Sequence, residues 1–200
     1  LHAPWRAARA RYRTADGMVM LSATVRSEFR RWEAELSRTD HDGVPIAACA
    51  AFPAATSEEA AVIYADAAGD SATAGYCAWT VHDGEMLFVE GRWTKAERQN
   101  LLICDLELAA STIGLAALQP LTGRRHVYSY TDNTVAMSAM RGLVPSTAAM
   151  QQLTAERVSW MLANNIAEAT ERITSKANLW ADMGSRARVS EMMEQASLLG

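Results

Sequence analysis

The stretch VIYADAAGDSATAGYCAW, residues 62–79, decides the fold. Val62-Ile63-Tyr64-Ala65 is a run of strand formers, and it ends in Asp66. Small residues follow, Ala67-Ala68-Gly69, and then a second strand-prone run that contains Tyr76 and Trp79. A carboxylate at the tip of an apolar strand is costly to bury unless something compensates it. What Asp66 faces is therefore the first thing to establish.

Downstream, residues 61–66 and 74–81 read as consecutive strands, and HDGE at 82–85 holds an Asp-Gly pair suited to a tight hairpin turn. Residues 86–90 form the third strand of an antiparallel meander. TKAE at 94–97 has capping-box form, which starts a helix expected to run to about Leu118. HVYSYTD at 126–132 is a fourth strand and again ends in an aspartate, Asp132. Helices are expected over 134–140 and 147–164, the second with Met150, Leu153, Val158 and Met161 on one arc, then a strand over 169–174 and a helix from Asn178. The order after residue 60 is that of a mixed α/β domain.

Before it, Val25, Phe29, Trp32 and Leu36 recur at helical spacing, opposite Arg26, Arg30 and Glu33. SRTDHDGVP at 37–45 and AAFPAATSEE at 50–59 are loop-like. The division expected is an N-terminal helical extension over 1–57 and a domain over 58–200. Leu1 is not a start methionine, which points to a fragment of a longer chain. No apolar run approaches the roughly 20 residues that cross a bilayer, so no membrane partner is expected. Cys49, Cys77 and Cys104 form no C-x-x-C pair, which speaks against a disulfide framework or zinc site and for a reducing, intracellular compartment. The net charge of −4 means that a polyanionic partner would be held by local basic patches, not by the overall field.

The acids carry the chemistry. If the first and fourth strands lie side by side and parallel, Asp66 and Asp132 emerge together at one edge, where they repel unless protonated or bound to a cation. Glu107 shares a helix face with Ile103, Ala110 and Gly114, all apolar or small, while Asp105 nearby competes with it for a role. Asp182 stands near the start of the last helix. Taken singly, each has an ordinary explanation as a cap, a turn residue or a solvated side chain. Jointly, four hard oxygen donors converging on one point suit Mg2+.

In order and in local words, residues 60–188 resemble the ribonuclease H domain of reverse-transcriptase polyproteins from long-terminal-repeat-like and tyrosine-recombinase retroelements. The matching words are IYADAAG, GRWTKAERQNLLICDLELAAS, YTDNTVAMSAMRG and NLWADMGSR, whose acids are spaced 41, 25 and 50 residues apart. The E-L-x-A form of the second word selects Glu107 over Asp105. The last matches N-x-x-A-D-x-x-S-R at Asn178, Ala181, Asp182, Ser185 and Arg186. RSEFRRWEAEL and DGVP are similar to the connection segment that precedes such domains.

The resemblance implies a ribonuclease H-like sheet, three antiparallel strands then two parallel, flanked by helices. It implies a metal-dependent endonuclease that hydrolyses the RNA strand of RNA–DNA hybrids. Asp66, Glu107, Asp132 and Asp182 would hold two Mg2+ ions, or Mn2+, about 4 Å apart. A reverse-transcriptase polymerase domain would be an attached or associated partner. Substrate contacts would fall to Arg92, Lys95, Arg98, Asn133, Ser138, Arg141 and Arg186, although such charges also form ordinary solvated faces and Asn133 can cap its helix. The family's His ahead of the last Asp is missing from TERITSKAN, residues 170–178, where Arg172 or Lys176 are the alternatives for contacting phosphate. The competing readings are an exonuclease or integrase type on the same scaffold, and a catalytically silent connector domain.

Overall fold

A computed structural model describes residues 26, 27, 30, 33, 34, 37, 60–142 and 145–198. The chain divides into two units, Leu1–Cys49 and Ala50–Gly200. In the first, the described residues are helical and exposed, and Ser37 Oγ donates to the Glu33 carbonyl one turn back at 2.7 Å. The apolar positions expected on that helix, Val25, Phe29, Trp32 and Leu36, lie outside the described residues, as do the expected boundary at 57 and the DGVP segment.

The second unit runs β1 (Ala60–Ala67), β2 (Gly75–His82), β3 (Glu85–Arg92), α1 (Lys95–Asn100), α2 (Ile103–Thr122), β4 (His126–Thr131), α3 (Thr134–Met140), α4 (Ala148–Ala163), β5 (Ala167–Arg172), α5 (Leu179–Ser185) and α6 (Val189–Ser197). The sheet order is β3-β2-β1-β4-β5. Strands β1, β2 and β3 pair antiparallel, while β4 lies parallel to β1 and β5 parallel to β4. This is the ribonuclease H-like arrangement expected above. The hairpin turns on Asp83 and Gly84, both left-handed at φ 50° and 80°, which suits the right-handed twist of the strands it joins.

Alternation along β1 assigns the two faces. Ala61, Ile63 and Ala65 pack with Val127 and Ile166 against Leu115 and Leu118 of α2. Gly114 permits that approach, since a Cβ there would fall 2.4 Å from the Ala78 methyl. On the opposite face Tyr64 stacks on Trp79 and Tyr130, with ring centroids 4.3 and 5.1 Å apart. Farther along that face Cys77 packs with Met183 and Met192, from α5 and α6. Gly184 brings α5 against β2, its virtual Cβ lying only 2.3 Å from Cys77 Sγ. Burial, added to by the charges of Glu90 and Asp66, pushes that thiol up to about 12. No helix among the described residues is long and apolar enough to cross a membrane.

Several expected elements are corrected. The single helix expected from 94 to about 118 is two, because Leu101 and Leu102 adopt extended backbone. Each piece has its own cap: Thr94 and Glu97 close a reciprocal capping box on α1, and the Asp105 side chain accepts from the Leu102 N–H at the start of α2. The last helix also divides, around Ala187 at φ 68°, into α5 and α6. The fifth strand begins earlier than expected, at Ala167, whose partner in the parallel register is His126. On α4, Val158 is exposed and Arg157 takes the buried place beside Met150. Arg157 is tolerated there because Nε donates to Glu168 Oε2 at 2.9 Å, Nη2 pairs with Glu168 Oε1, and Nη1 donates to Thr112 Oγ1 at 3.2 Å.

Candidate metal centre

Strand register delivers the first two acids. The β1–β4 pairing runs from Ala60 opposite His126 to Tyr64 opposite Tyr130. Carried two residues further, the same offset sets Asp66 level with Asp132, just past the end of β4. Helix α2 crosses β1 and adds Glu107 from its second turn. One oxygen from each of Asp66, Glu107 and Asp132 lies within 4.8 Å of the others. Asp66 is 4% exposed and Glu107 5%, while Asp132 is half-buried.

Burial at this density penalises charge. Loss of solvation lifts Asp66 to about 7; a Ser185 hydroxyl bond works against the rise, while the Asp132 and Asp182 charges add to it. Glu107 is pushed up to about 9, first by burial and then by Asp66 and Asp132, with the Ala67 backbone bond opposing. Glu107 Oε2 is buried without a hydrogen-bond partner. A buried oxygen with nothing to accept from, beside two more carboxylates, is the arrangement a divalent cation would relieve. Three oxygen donors of this hardness suit Mg2+ or Mn2+ and leave coordination positions open.

Both oxygens of Asp66 are also held by residues of the last sequence word. Ser185 Oγ donates to its Oδ2 at 2.7 Å, and Asn178 Nδ2 reaches its Oδ1 at 3.5 Å while also donating to the Ala65 carbonyl at 3.0 Å. The Asn and Ser of the last sequence word thus have a physical task, orienting the first acid from α5.

The fourth acid stands apart. Asp182 lines the same cleft, which has a volume of about 490 Å3, but its carboxylate lies outside the close group of three. Its Oδ1 accepts from Arg186 Nε at 2.8 Å, and the same guanidinium donates through Nη1 to Asp70 Oδ2 at 2.9 Å. Asp70, in the loop between β1 and β2, therefore also lines the cleft. Asp105 takes no part: it is buried, accepts from the Leu102 N–H at 2.8 Å and from the Thr147 hydroxyl, and so ties the start of α2 to that of α4.

The residues expected to contact substrate fall into two groups. Arg98 and Arg186 line the cleft. Arg98 Nη1 also donates to the Trp93 and Ala72 carbonyls, and Arg92 Nη1 to the Thr73 carbonyl at 2.5 Å, so both arginines fasten the loop between β1 and β2. Asn133 caps α3, its Oδ1 accepting from the Val135 and Ala136 N–H groups at 3.0 Å each. Arg141 Nε donates to the Thr170 carbonyl at 2.8 Å and pins α3 to β5. Lys95 is exposed at the start of α1, and Ser138 is half-buried on α3. In the loop lacking a histidine, Ser175 lines the cleft and Arg172 Nε donates to the Asp132 carbonyl at 3.2 Å.

The fold is ribonuclease H-like. No protein-family model matches the chain, and no curated protein matches it in sequence. Among solved structures it is similar to ribonuclease H1 of the halophilic archaeon Halobacterium salinarum, at 15% identity and TM-score 0.49 over 66% of this chain and 98% of that one. It is also similar to the N-terminal ribonuclease H domain of a Mycobacterium tuberculosis protein, at 20% identity and TM-score 0.49 over 68% of this chain and 98% of that one. A third likeness is to the ribonuclease H1 called LC11, solved in complex with an RNA/DNA hybrid, at 12% identity and TM-score 0.49 over 66% of this chain and 99% of that one. It is the placement of the acids, and not these likenesses, that bears on chemistry.

Proposed function

We propose that the chain is a metal-dependent endonuclease that hydrolyses the RNA strand of RNA–DNA hybrids, as the ribonuclease H part of a reverse-transcriptase polyprotein. One observation carries the reading. Asp66, Glu107 and Asp132 converge within 4.8 Å, two of them buried, and one Glu107 oxygen has no partner among the protein's own groups.

When bound, Mg2+ supplies a water of lowered pKa and neutralises charge at the phosphate and the departing oxygen. The chain's own residues do the rest. Asp66, fixed by Ser185 and Asn178, would hold the ion together with Glu107 and Asp132. Asp182, which lines the same cleft outside the close group of three, is the fourth acid. Burial and the neighbouring carboxylate charges raise both Asp66 and Glu107 and favour their protonated forms, so loading the site would release protons and cleavage would rise with pH. Arg98, which lines the cleft, would meet phosphate, and an RNA preference would rest on 2′-hydroxyl contacts and minor-groove shape. With a net charge of −4, grip on a polyanion is weak, and an attached polymerase domain would supply the remainder.

The test is cleavage of a labelled RNA–DNA hybrid in Mg2+ and in EDTA, by the wild-type chain and by Asp66→Asn. Cutting that needs both the cation and Asp66 supports the reading; cutting that survives either loss removes it.

A further inference from the structure

Arg186 joins two carboxylates that line the cleft from different elements. Asp182 belongs to the first turn of α5, Asp70 to the loop between β1 and β2, and the guanidinium bonds both at 2.8 and 2.9 Å. Among the described residues, no ion pair involves Asp66, Glu107 or Asp132. The cleft's acids are thus of two kinds: three that lack a counter-ion and one that has an internal one.

We propose that Arg186 is a displaceable counter-ion for Asp182, so that the cleft takes divalent cations in two steps. The first goes to Asp66, Glu107 and Asp132. The second enters only as the guanidinium leaves Asp182. This rests on the metal reading above and concerns the order and control of loading.

The balance of forces favours displacement. The side chains of Arg186, Asp182 and Asp70 are 43%, 34% and 67% exposed, and ion pairs that solvated contribute little. A divalent ion attracts the Asp182 carboxylate with twice the charge of the guanidinium, and then repels Arg186 from the same place. Arg186 is also the C-cap of α5, so its side chain can swing away without unwinding the helix. Its single-point contacts, one nitrogen to each acid, are weaker than a two-point fork on one carboxylate. Arg188 is the natural control. It carries the same charge within reach of Asp182, but its guanidinium bonds Glu191.

The experiment is Mn2+ binding to the full chain, followed by the free-ion paramagnetic signal and by calorimetry, for wild type, Arg186→Gln, Arg186→Lys, Arg188→Gln and Asp66→Asn. Wild type is expected to show a tighter and a weaker class of site, with Asp66→Asn removing the tighter one. Arg186→Gln should tighten the weaker class by about fivefold or more and leave the tighter class within about twofold. Arg186→Lys, which keeps the charge but cannot bridge both acids, should fall between, and Arg188→Gln should leave both classes in place. An unchanged weaker class in Arg186→Gln, or an equal shift of both classes, overturns the counter-ion role and leaves the metal reading standing. No Mn2+ bound by wild type overturns both.

Discussion

The Ser185 hydroxyl donates to Asp66 Oδ2 at 2.7 Å, joining residues 119 positions apart in the chain. Helix α5 thereby fixes the acid at the tip of β1, and one oxygen of that acid lies within 4.8 Å of oxygens of Glu107 and Asp132. The bond favours the ionised carboxylate, against a burial that favours the protonated one.

Ser185→Ala should therefore raise the Asp66 pKa further above about 7 and weaken divalent-ion binding at a given pH. The pH at which Mg2+ raises the melting temperature by half its full amount should move up. An unmoved midpoint, with the fold intact, would show that the hydroxyl does not govern Asp66.

Folding itself should depend on pH in an unusual direction when no cation is present. Asp66 and Glu107 rise on folding from 3.8 and 4.5 to about 7 and about 9, so the folded state binds more protons than the unfolded one across that interval. Their contribution is most favourable below the unfolded values and is lost as pH climbs through the folded ones. Thermal unfolding in EDTA should show stability falling from about pH 5 to pH 9, and Mg2+ should restore it at the upper end. Glu107→Gln should flatten the slope and melt higher than wild type at pH 8. A slope unchanged by that substitution would place the titration elsewhere.

The two acids of α2 should separate cleanly. Glu107→Gln removes a cluster oxygen and should abolish both Mg2+-dependent stabilisation and cleavage. Asp105→Ala removes two partly buried hydrogen bonds, to the Leu102 N–H and the Thr147 hydroxyl, and should cost about 2 kcal/mol of stability while leaving Mg2+ binding in place. Denaturant titration with and without Mg2+ distinguishes them; Asp105→Ala losing the Mg2+ effect while still folded would exchange their roles.

Arg157 and Glu168 make the most buried ion pair among the described residues, at 1% and 3% side-chain exposure. Arg157→Ala leaves Glu168 without its partner and should destabilise the fold by about 3–5 kcal/mol. Replacing both residues, Arg157→Met with Glu168→Leu, should recover most of that loss. Chemical denaturation of the single and double variants measures the difference, and a double variant as unstable as the single one would contradict it.

The parts legible in the sequence were those set by local rules. The run of strand formers at 62–65, the Asp-Gly turn and the capping box at Thr94 each depend on near neighbours, and the antiparallel meander followed from them. The full sheet arrangement was only implied by the family resemblance. The break at Leu101-Leu102 was not legible, because two leucines favour continuing a helix and what stops them is Asp105, itself tied to Thr147 42 residues on. Arg157 was missed for the same reason: a cation in an apolar arc makes sense only once Glu168 on β5 is beside it. Asp66, Glu107 and Asp132 stood out because strand ends and an apolar helix face make an acid conspicuous, and Glu107 was preferred to Asp105 through the family resemblance. Arg186 stood at an i,i+4 spacing from Asp182 and was read as a substrate contact, since its second partner, Asp70, comes from a distant loop.

The most direct measurement is strand cleavage by the purified chain at low salt, where phosphate contacts are least screened, on end-labelled RNA–DNA hybrid and on duplex DNA. The expected result is slow cutting of the RNA strand in Mg2+, none in EDTA, none by Glu107→Gln, and intact duplex DNA. Cutting duplex DNA as fast as hybrid would point to an exonuclease or integrase type, and silence on every substrate even when fused to a polymerase domain would make this a scaffold. RNA cleavage undiminished in Glu107→Gln would contradict the acidic centre outright.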